Sequence, residues 1–140
     1  MLQKENIFFN LCSDSKETIL KDLGNGLLAT GYVTNDYVKS IIKREQEMST
    51  YLSNGVAVPH GLTSESAEGI LKNGVAIATI PDGIDWGNGQ IVRVIIMIAA
   101  ERRAHMNVLA KAAKLCSDES KVKAILTMTV DEIYDKCRFD

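Results

Sequence analysis

The segment from Ile91 to Ala99 constrains the fold most, because nearly every one of its side chains is apolar and many are β-branched. The longest uninterrupted apolar run, Val94–Ala100, is far shorter than the ~20 residues that a membrane-spanning helix needs. A strand that is apolar throughout has to be covered on both of its faces, as interior strands of α/β sheets are. We therefore expect Ile91–Ala99 to be a central strand between layers of helices.

Shorter apolar runs predict the other strands of this sheet. Val56–Pro59 and Val75–Ile80 are rich in β-branched residues and bounded by glycines, and Ile7–Leu11 is a further short apolar segment. Pro81–Gly89 contains DG and GNG, which predicts a turn-rich connection between strands.

Apolar residues at helical spacing predict five helices. The fold class that follows is α/β, with a mixed sheet of about four to five strands and helices packed on both faces. We find no repeat or linker, so residues 1–140 are expected to form one domain. Gly24 and Gly26 each cost about 1 kcal/mol inside a helix, which close packing on a neighbour would explain. The first helix covers about 15–29, with Asp14 and Glu17 as a capping box and Gly31 as its stop. The second follows Thr34 or Asn35, the third starts from His105, and the fourth lies near 118–126. The fifth follows Thr129, and Glu132 completes its capping box.

Composition excludes several classes of function. The net charge is −2, from 16 Lys and Arg against 18 Asp and Glu. The chain therefore lacks the excess of positive charge with which proteins bind the phosphates of nucleic acid. The N-terminus shows no signal peptide, and the three cysteines lack the spacing of a disulfide framework or zinc site. The sequence motifs of nucleotide-binding loops and of zinc proteases are missing. We expect a cytoplasmic protein without a metal or cofactor.

His60 is the first candidate for chemistry. It follows Val58 and Pro59 at the predicted end of a strand and precedes Gly61, which lets the chain turn without crowding the imidazole. In α/β sheets, ligands bind outside the carboxyl ends of the strands. The alternative is an ordinary surface histidine in a turn, and local spacing does not decide between the two.

His105 and Arg44 are weaker candidates when each is considered alone. His105 lies where a helix is expected to begin after the central strand, and the free N–H groups of a helix N-terminus suit a phosphate; the alternative is a histidine packed against Met106. Arg44 lies in a mixed charge run at the end of the second helix, which is typical of a solvated helix face.

Five segments in order form a pattern far more specific than any one of them. They are Arg44–Leu52, Gly55–Gly61, Pro81–Trp86, Ile95–Ala100 and His105–Ala110. Together they resemble the enzyme IIA domain of the bacterial phosphoenolpyruvate-dependent sugar phosphotransferase system, mannitol/fructose type. The resemblance covers nearly the whole chain, and the long strand before His105 is most similar to the mannitol branch. One departure is Leu62, where the family pattern has threonine.

This resemblance implies a phosphocarrier. His60 would accept a phosphoryl group from the phosphocarrier protein HPr and pass it to enzyme IIB, while His105 matches the family's second active-site histidine and Arg44 its arginine. No cofactor, metal, nucleic acid or membrane insertion is implied, and the chain would be a free-standing IIA. We also expect an apolar rim of Val58, Leu62 and Met106 around His60, suited to a transient protein interface.

Two other functions stay open on the sequence. One is a regulatory binding module in which the phosphorylation state of His60 controls docking to another protein. The other is a structural domain in which both histidines are incidental.

Overall fold

The computed structural model describes residues 1–12, 15–61 and 68–139, which form one mixed five-stranded sheet and five helices. The sheet order is β1-β4-β5-β3-β2. β1 pairs with β4 and β3 with β5 in parallel, whereas the β4–β5 and β2–β3 pairs are antiparallel. The elements are β1 (Leu2–Phe8), α1 (Lys16–Ala29), α2 (Asn35–Glu47), β2 (Tyr51–Ser53), β3 (Val56–Ala57), β4 (Gly74–Gly87), β5 (Gln90–Ala99), α3 (Arg102–Leu115), α4 (Glu119–Leu126) and α5 (Val130–Lys136).

The apolar strand β5 lies at the centre of the sheet, as its sequence predicts. Its side chains alternate between two separate hydrophobic clusters, because successive residues of a strand point to opposite faces. Val94, Ile96 and Ile98 pack with α3, α4 and α5, and Ile95 and Met97 pack with α1 and α2. Both faces of the sheet are therefore covered by helices, which confirms the predicted fold class.

The helix predictions are largely confirmed. Thr34 caps α2, and Thr129 with Glu132 forms the capping box of α5. Helix α1 begins with Ser15 as its N-cap, one residue later than predicted, and Asp14 lies outside the described residues. The close packing expected at Gly24 is present, since a Cβ there would lie 2.7 Å from Cγ1 of Val38 in α2.

Two predictions about the strands need correction, and one strand was not predicted. β1 begins at Leu2 and ends at Phe8, earlier than the predicted Ile7–Leu11. The edge strand β2 was not predicted, because its three residues carry too little apolar pattern. The predicted connection Pro81–Gly89 is largely part of β4, which runs on to Gly87. A register shift after Thr79 accommodates the proline within the strand.

The pairing of β3 with β5 determines where the candidate site lies in the fold. Because the two strands are parallel neighbours, their carboxyl ends lie at the same edge of the sheet. His60 follows β3 and still forms a parallel bridge with Ile98. β5 leads through Glu101 directly into α3, which carries His105. The topology therefore brings together two histidines that are 45 positions apart in the sequence.

Candidate functional site

The imidazole rings of His60 and His105 meet edge to face at the carboxyl end of the central strands. Their centroids are 4.7 Å apart and the ring planes are inclined by 72°. His60 is half-buried, whereas His105 is only 5% exposed. On the side of β5, the carbonyl of Pro59 accepts a hydrogen bond of 2.8 Å from the N–H of Ile98, so the backbone that carries His60 is fixed to the central strand.

A backbone carbonyl determines which ring nitrogen of His60 carries the proton. Nδ1 of His60 lies 2.8 Å from the carbonyl oxygen of Val58. A carbonyl only accepts hydrogen bonds, so Nδ1 must be the protonated nitrogen. In the neutral ring Nε2 is then left with its lone pair free.

Gly61 keeps the chain close to α2 beside the histidine. Its N–H donates a hydrogen bond of 3.1 Å to the buried hydroxyl of Tyr37. A Cβ at this position would lie 2.7 Å from the Tyr37 ring and from Oγ of Ser40. Glycine is therefore required here for close packing, in addition to the turn that its sequence position predicts.

Both histidines are held in the neutral form. Burial is the main cause that lowers the pKa of His60 below 6.5, and the charge of Arg44 also lowers it, against opposing effects of the Val58 carbonyl and Glu45. Burial and the neighbouring His60 lower the pKa of His105 to about 4. At pH 7 the pair therefore presents two uncharged rings, the state that a nitrogen nucleophile requires.

Arg44 supplies positive charge to this site. The residue is half-exposed, and its guanidinium is near enough to His60 to lower the pKa of that ring. Nη1 of Arg44 donates a hydrogen bond of 2.8 Å to the carbonyl of Met48, which fixes part of the side chain. The solvated-face interpretation of Arg44 is thus incomplete, because the same residue belongs to the electrostatic surroundings of His60.

Glu45 is a residue of the site region that the sequence analysis missed. Its side chain is 2% exposed and forms an ion pair of 2.9 Å with Lys16 of α1. The mixed charge run around it indicates a solvated position instead. A signal is present, however, because Glu45 continues the buried stripe of Tyr37 and Ile41 at four-residue spacing.

The structure corrects the expected phosphate site at the start of α3. The helix begins at Arg102, and His105 lies in its first turn instead of at its first residue. The carboxylate of Glu101 accepts the N–H groups of Arg103 and Ala104. These helix N-terminal donors are already engaged, so the helix end gives less support for a bound phosphate than its position suggested.

Of the three residues predicted to form an apolar rim around His60, one is exposed. Met106 is 58% exposed, but Val58 is buried and Leu62 lies outside the described residues. Met48, whose carbonyl holds Arg44, is 66% exposed and was not predicted. The side chains of Met48 and Met106 are thus both exposed, and methionine adapts its shape to different surfaces.

Within residues 1–12, 15–61 and 68–139, no cluster of three or more His, Cys, Asp or Glu residues has the arrangement of a metal site. In the same part of the chain, no helix has the length and apolar character needed to cross a bilayer.

Comparison with known proteins identifies the family of the chain. The family model described as "Phosphoenolpyruvate-dependent sugar phosphotransferase system, EIIA 2" matches residues 1–138. The chain belongs to this family. The resemblance seen in the sequence is confirmed, and this enzyme IIA is a phosphotransferase.

Individual relatives agree in sequence and in structure. The mannitol-specific phosphotransferase enzyme IIA component of Bacillus subtilis is 36% identical over 132 residues, which cover 94% of this chain and 92% of the relative. The crystal structure of mannitol IIA from Escherichia coli superposes with a TM-score of 0.86 at 33% identity, covering 99% of both chains. The Escherichia coli complex of mannitol enzyme IIA with phosphorylated enzyme IIB gives a TM-score of 0.87 at 31% identity and 98% coverage of both chains.

The burial of the two histidines leads to a pH prediction. We expect an NMR titration of the imidazole protons to show His105 uncharged down to about pH 4, with His60 titrating below 6.5. Since the unfolded chain binds protons near pH 6.5 and folded His105 does not, stability should fall as the pH drops from about 6.5 towards 4. In His60→Ala, the pKa of His105 should rise, because His60 contributes to its shift. A His105 midpoint near 6.5 in the wild type would contradict this account.

Proposed function

We propose that this enzyme IIA is a cytoplasmic phosphocarrier of a mannitol-like uptake system, with His60 as the phosphoryl acceptor. It takes the group from phosphorylated HPr and passes it to enzyme IIB. The name of the Bacillus subtilis relative supports mannitol as the sugar class. The Escherichia coli complex with phosphorylated enzyme IIB, at 31% identity, supports enzyme IIB as the receiving partner.

The observation that carries this proposal is the hydrogen bond between Nδ1 of His60 and the Val58 carbonyl. It leaves Nε2 as the nucleophile and fixes the orientation of the ring. The lowered pKa of His60 keeps that nitrogen unprotonated at neutral pH. Histidines that are merely incidental need neither property.

The transfer step follows from this arrangement. The lone pair of Nε2 attacks phosphorus, an N–P bond forms, and the bond from phosphorus to the donor protein breaks in line with it. The donor keeps the electron pair of that broken bond. Positive charge develops on the His60 ring, and the Val58 carbonyl stabilises it by accepting the Nδ1–H hydrogen bond. In the second half-reaction a nucleophile of enzyme IIB attacks phosphorus, the N–P bond breaks in line with it, and the electron pair of that bond returns to Nε2 of His60.

Arg44 and His105 stabilise the transferring group in different ways. Arg44 offsets the negative charge of the phosphoryl oxygens, and such charge-assisted hydrogen bonds contribute roughly 1.5–3 kcal/mol. His105 is uncharged at pH 7 in the unphosphorylated protein, and a neutral imidazole can donate one N–H hydrogen bond to a phosphoryl oxygen. Its ring, 4.7 Å from that of His60, limits where the phosphoryl group can lie.

Phosphorylation by phosphoenolpyruvate, enzyme I and HPr tests the acceptor. We expect wild-type protein to take up an acid-labile, base-stable phosphate and His60→Ala to take up none, because the nucleophilic nitrogen is removed. His105→Ala retains that nitrogen and serves as the control: it should accept label while its transfer to enzyme IIB is slowed. Label on folded His60→Ala would refute the assignment.

Two substitutions at neighbouring positions of α2 test whether the charge of Arg44 stabilises the transferring group. Arg44→Ala should slow both half-reactions by about 10- to 100-fold, the equivalent of the 1.5–3 kcal/mol contribution. Lys43→Ala removes the same charge from the adjacent, exposed position and should leave the rates within about twofold. Rapid-quench measurement of labelled protein gives both rates, and equal rates for the two variants would return Arg44 to the role of a solvated surface residue.

A further inference from the structure

We propose that Glu45 is a positioning residue for His60, acting through Thr50 and Val58 to hold the acceptor ring in its reactive tautomer. This inference rests on the proposed function of His60 but concerns residues that do not touch the phosphoryl group. A buried carboxylate at this place is costly unless it is paired and hydrogen-bonded, so its contacts indicate its role.

The carboxylate of Glu45 is surrounded by donors. Oε1 pairs with Nζ of Lys16 at 2.9 Å. The backbone N–H of Thr50 donates to both carboxylate oxygens, at 3.1 and 3.2 Å, and the hydroxyl of Thr50 donates to Oε2. Glu45 therefore holds Thr50 through both its backbone and its side chain.

Thr50 transmits this constraint to the acceptor. Its carbonyl accepts a hydrogen bond of 3.0 Å from the N–H of Val58, and the carbonyl of Val58 in turn accepts from Nδ1 of His60 at 2.8 Å. Thr50 thus fixes the position of the Val58 peptide, and the Val58 carbonyl determines which ring nitrogen of His60 carries the proton. A shift of Thr50 would move the Val58 peptide and weaken the bond that selects the tautomer.

Arg44 and Glu45 hold the same segment from consecutive positions at the end of α2. Arg44 donates to the carbonyl of Met48, whereas Glu45 accepts from Thr50. The segment between the helix and β2 is therefore fixed at two points. This explains physically why an arginine that serves the phosphoryl group is followed directly by a buried glutamate.

The other partner of Glu45 is itself anchored. Nζ of Lys16 donates to the carbonyl of Trp86 at 3.2 Å and lies 4.6 Å from the centroid of the Trp86 ring. Lys16 of α1 therefore connects Glu45 of α2 with Trp86 of β4. Buried ion pairs often contribute little net stability, and in some proteins they serve to fix a specific arrangement.

The decisive experiment compares Glu45→Gln with Glu47→Gln, the same substitution at an exposed position of the same helix. The glutamine side chain retains the size of the glutamate but loses the charge and one acceptor oxygen. We expect ¹H–¹⁵N NMR of the unphosphorylated protein to show the Nδ1–H tautomer of His60 depleted in Glu45→Gln and unchanged in Glu47→Gln. Phosphoryl uptake from HPr should slow by about tenfold or more in Glu45→Gln, since small displacements of reacting groups cost large factors in rate.

A merely structural role of Glu45 would lower the melting temperature without changing the tautomer of the folded protein. That result, or wild-type uptake by Glu45→Gln, would overturn the proposal. If Glu45→Gln does not fold, Thr50→Val and Thr50→Ser decide: the valine variant should show the tautomer shift and the serine variant, which keeps the hydroxyl, should not. The same ring tautomer in both Thr50 variants as in the wild type would refute the proposal.

The tautomer measurement needs no phosphorylation, so it separates the two claims. If wild-type protein takes up no phosphate on His60, the proposed function fails whatever the NMR result. If the wild type is labelled on His60 and Glu45→Gln has the wild-type tautomer and rate, the positioning role alone fails.

Discussion

The hydrogen bond from Nδ1 of His60 to the carbonyl of Val58 is the interaction on which the site depends. A histidine offers two similar nitrogens, and a phosphocarrier needs one of them free and the other engaged. The bond exists because the chain from Val58 to His60 is fixed on both sides, by the carbonyl of Thr50 and by the N–H of Ile98. The sheet therefore contributes to the chemistry directly, by fixing the position of one carbonyl oxygen.

The electrostatic balance of the site suits a group that has to arrive and leave again. In the proposed transfer, two neutral rings and one half-exposed cation stabilise a phosphoryl group without binding it too tightly for onward transfer. Equal stabilisation of the bound group and the transition state would not accelerate transfer. Met48, whose carbonyl accepts a hydrogen bond from Arg44, and Met106, which follows His105 in the chain, expose apolar side chains that can adapt to a protein surface.

Much of this arrangement follows from the sequence, for identifiable reasons. The apolar strand Ile91–Ala99 predicts a centre covered on both faces, and the family pattern predicts that His60 and His105 belong to one site. Local patterns do not predict the long β4, because Pro81 and its DG neighbour are typical of a turn and the register shift that accommodates them depends on pairing with β5. The buried pair of Lys16 and Glu45 joins two helices, and only the packing of α1 against α2 brings their charges together.

The most direct test of the account is to identify the nitrogen that carries the phosphoryl group. ¹⁵N NMR of the phosphorylated, histidine-labelled protein should show phosphate on Nε2 of His60, with Nδ1 still protonated and hydrogen-bonded to the Val58 carbonyl. Phosphate on Nδ1, or on a residue other than His60, would contradict the account at its centre.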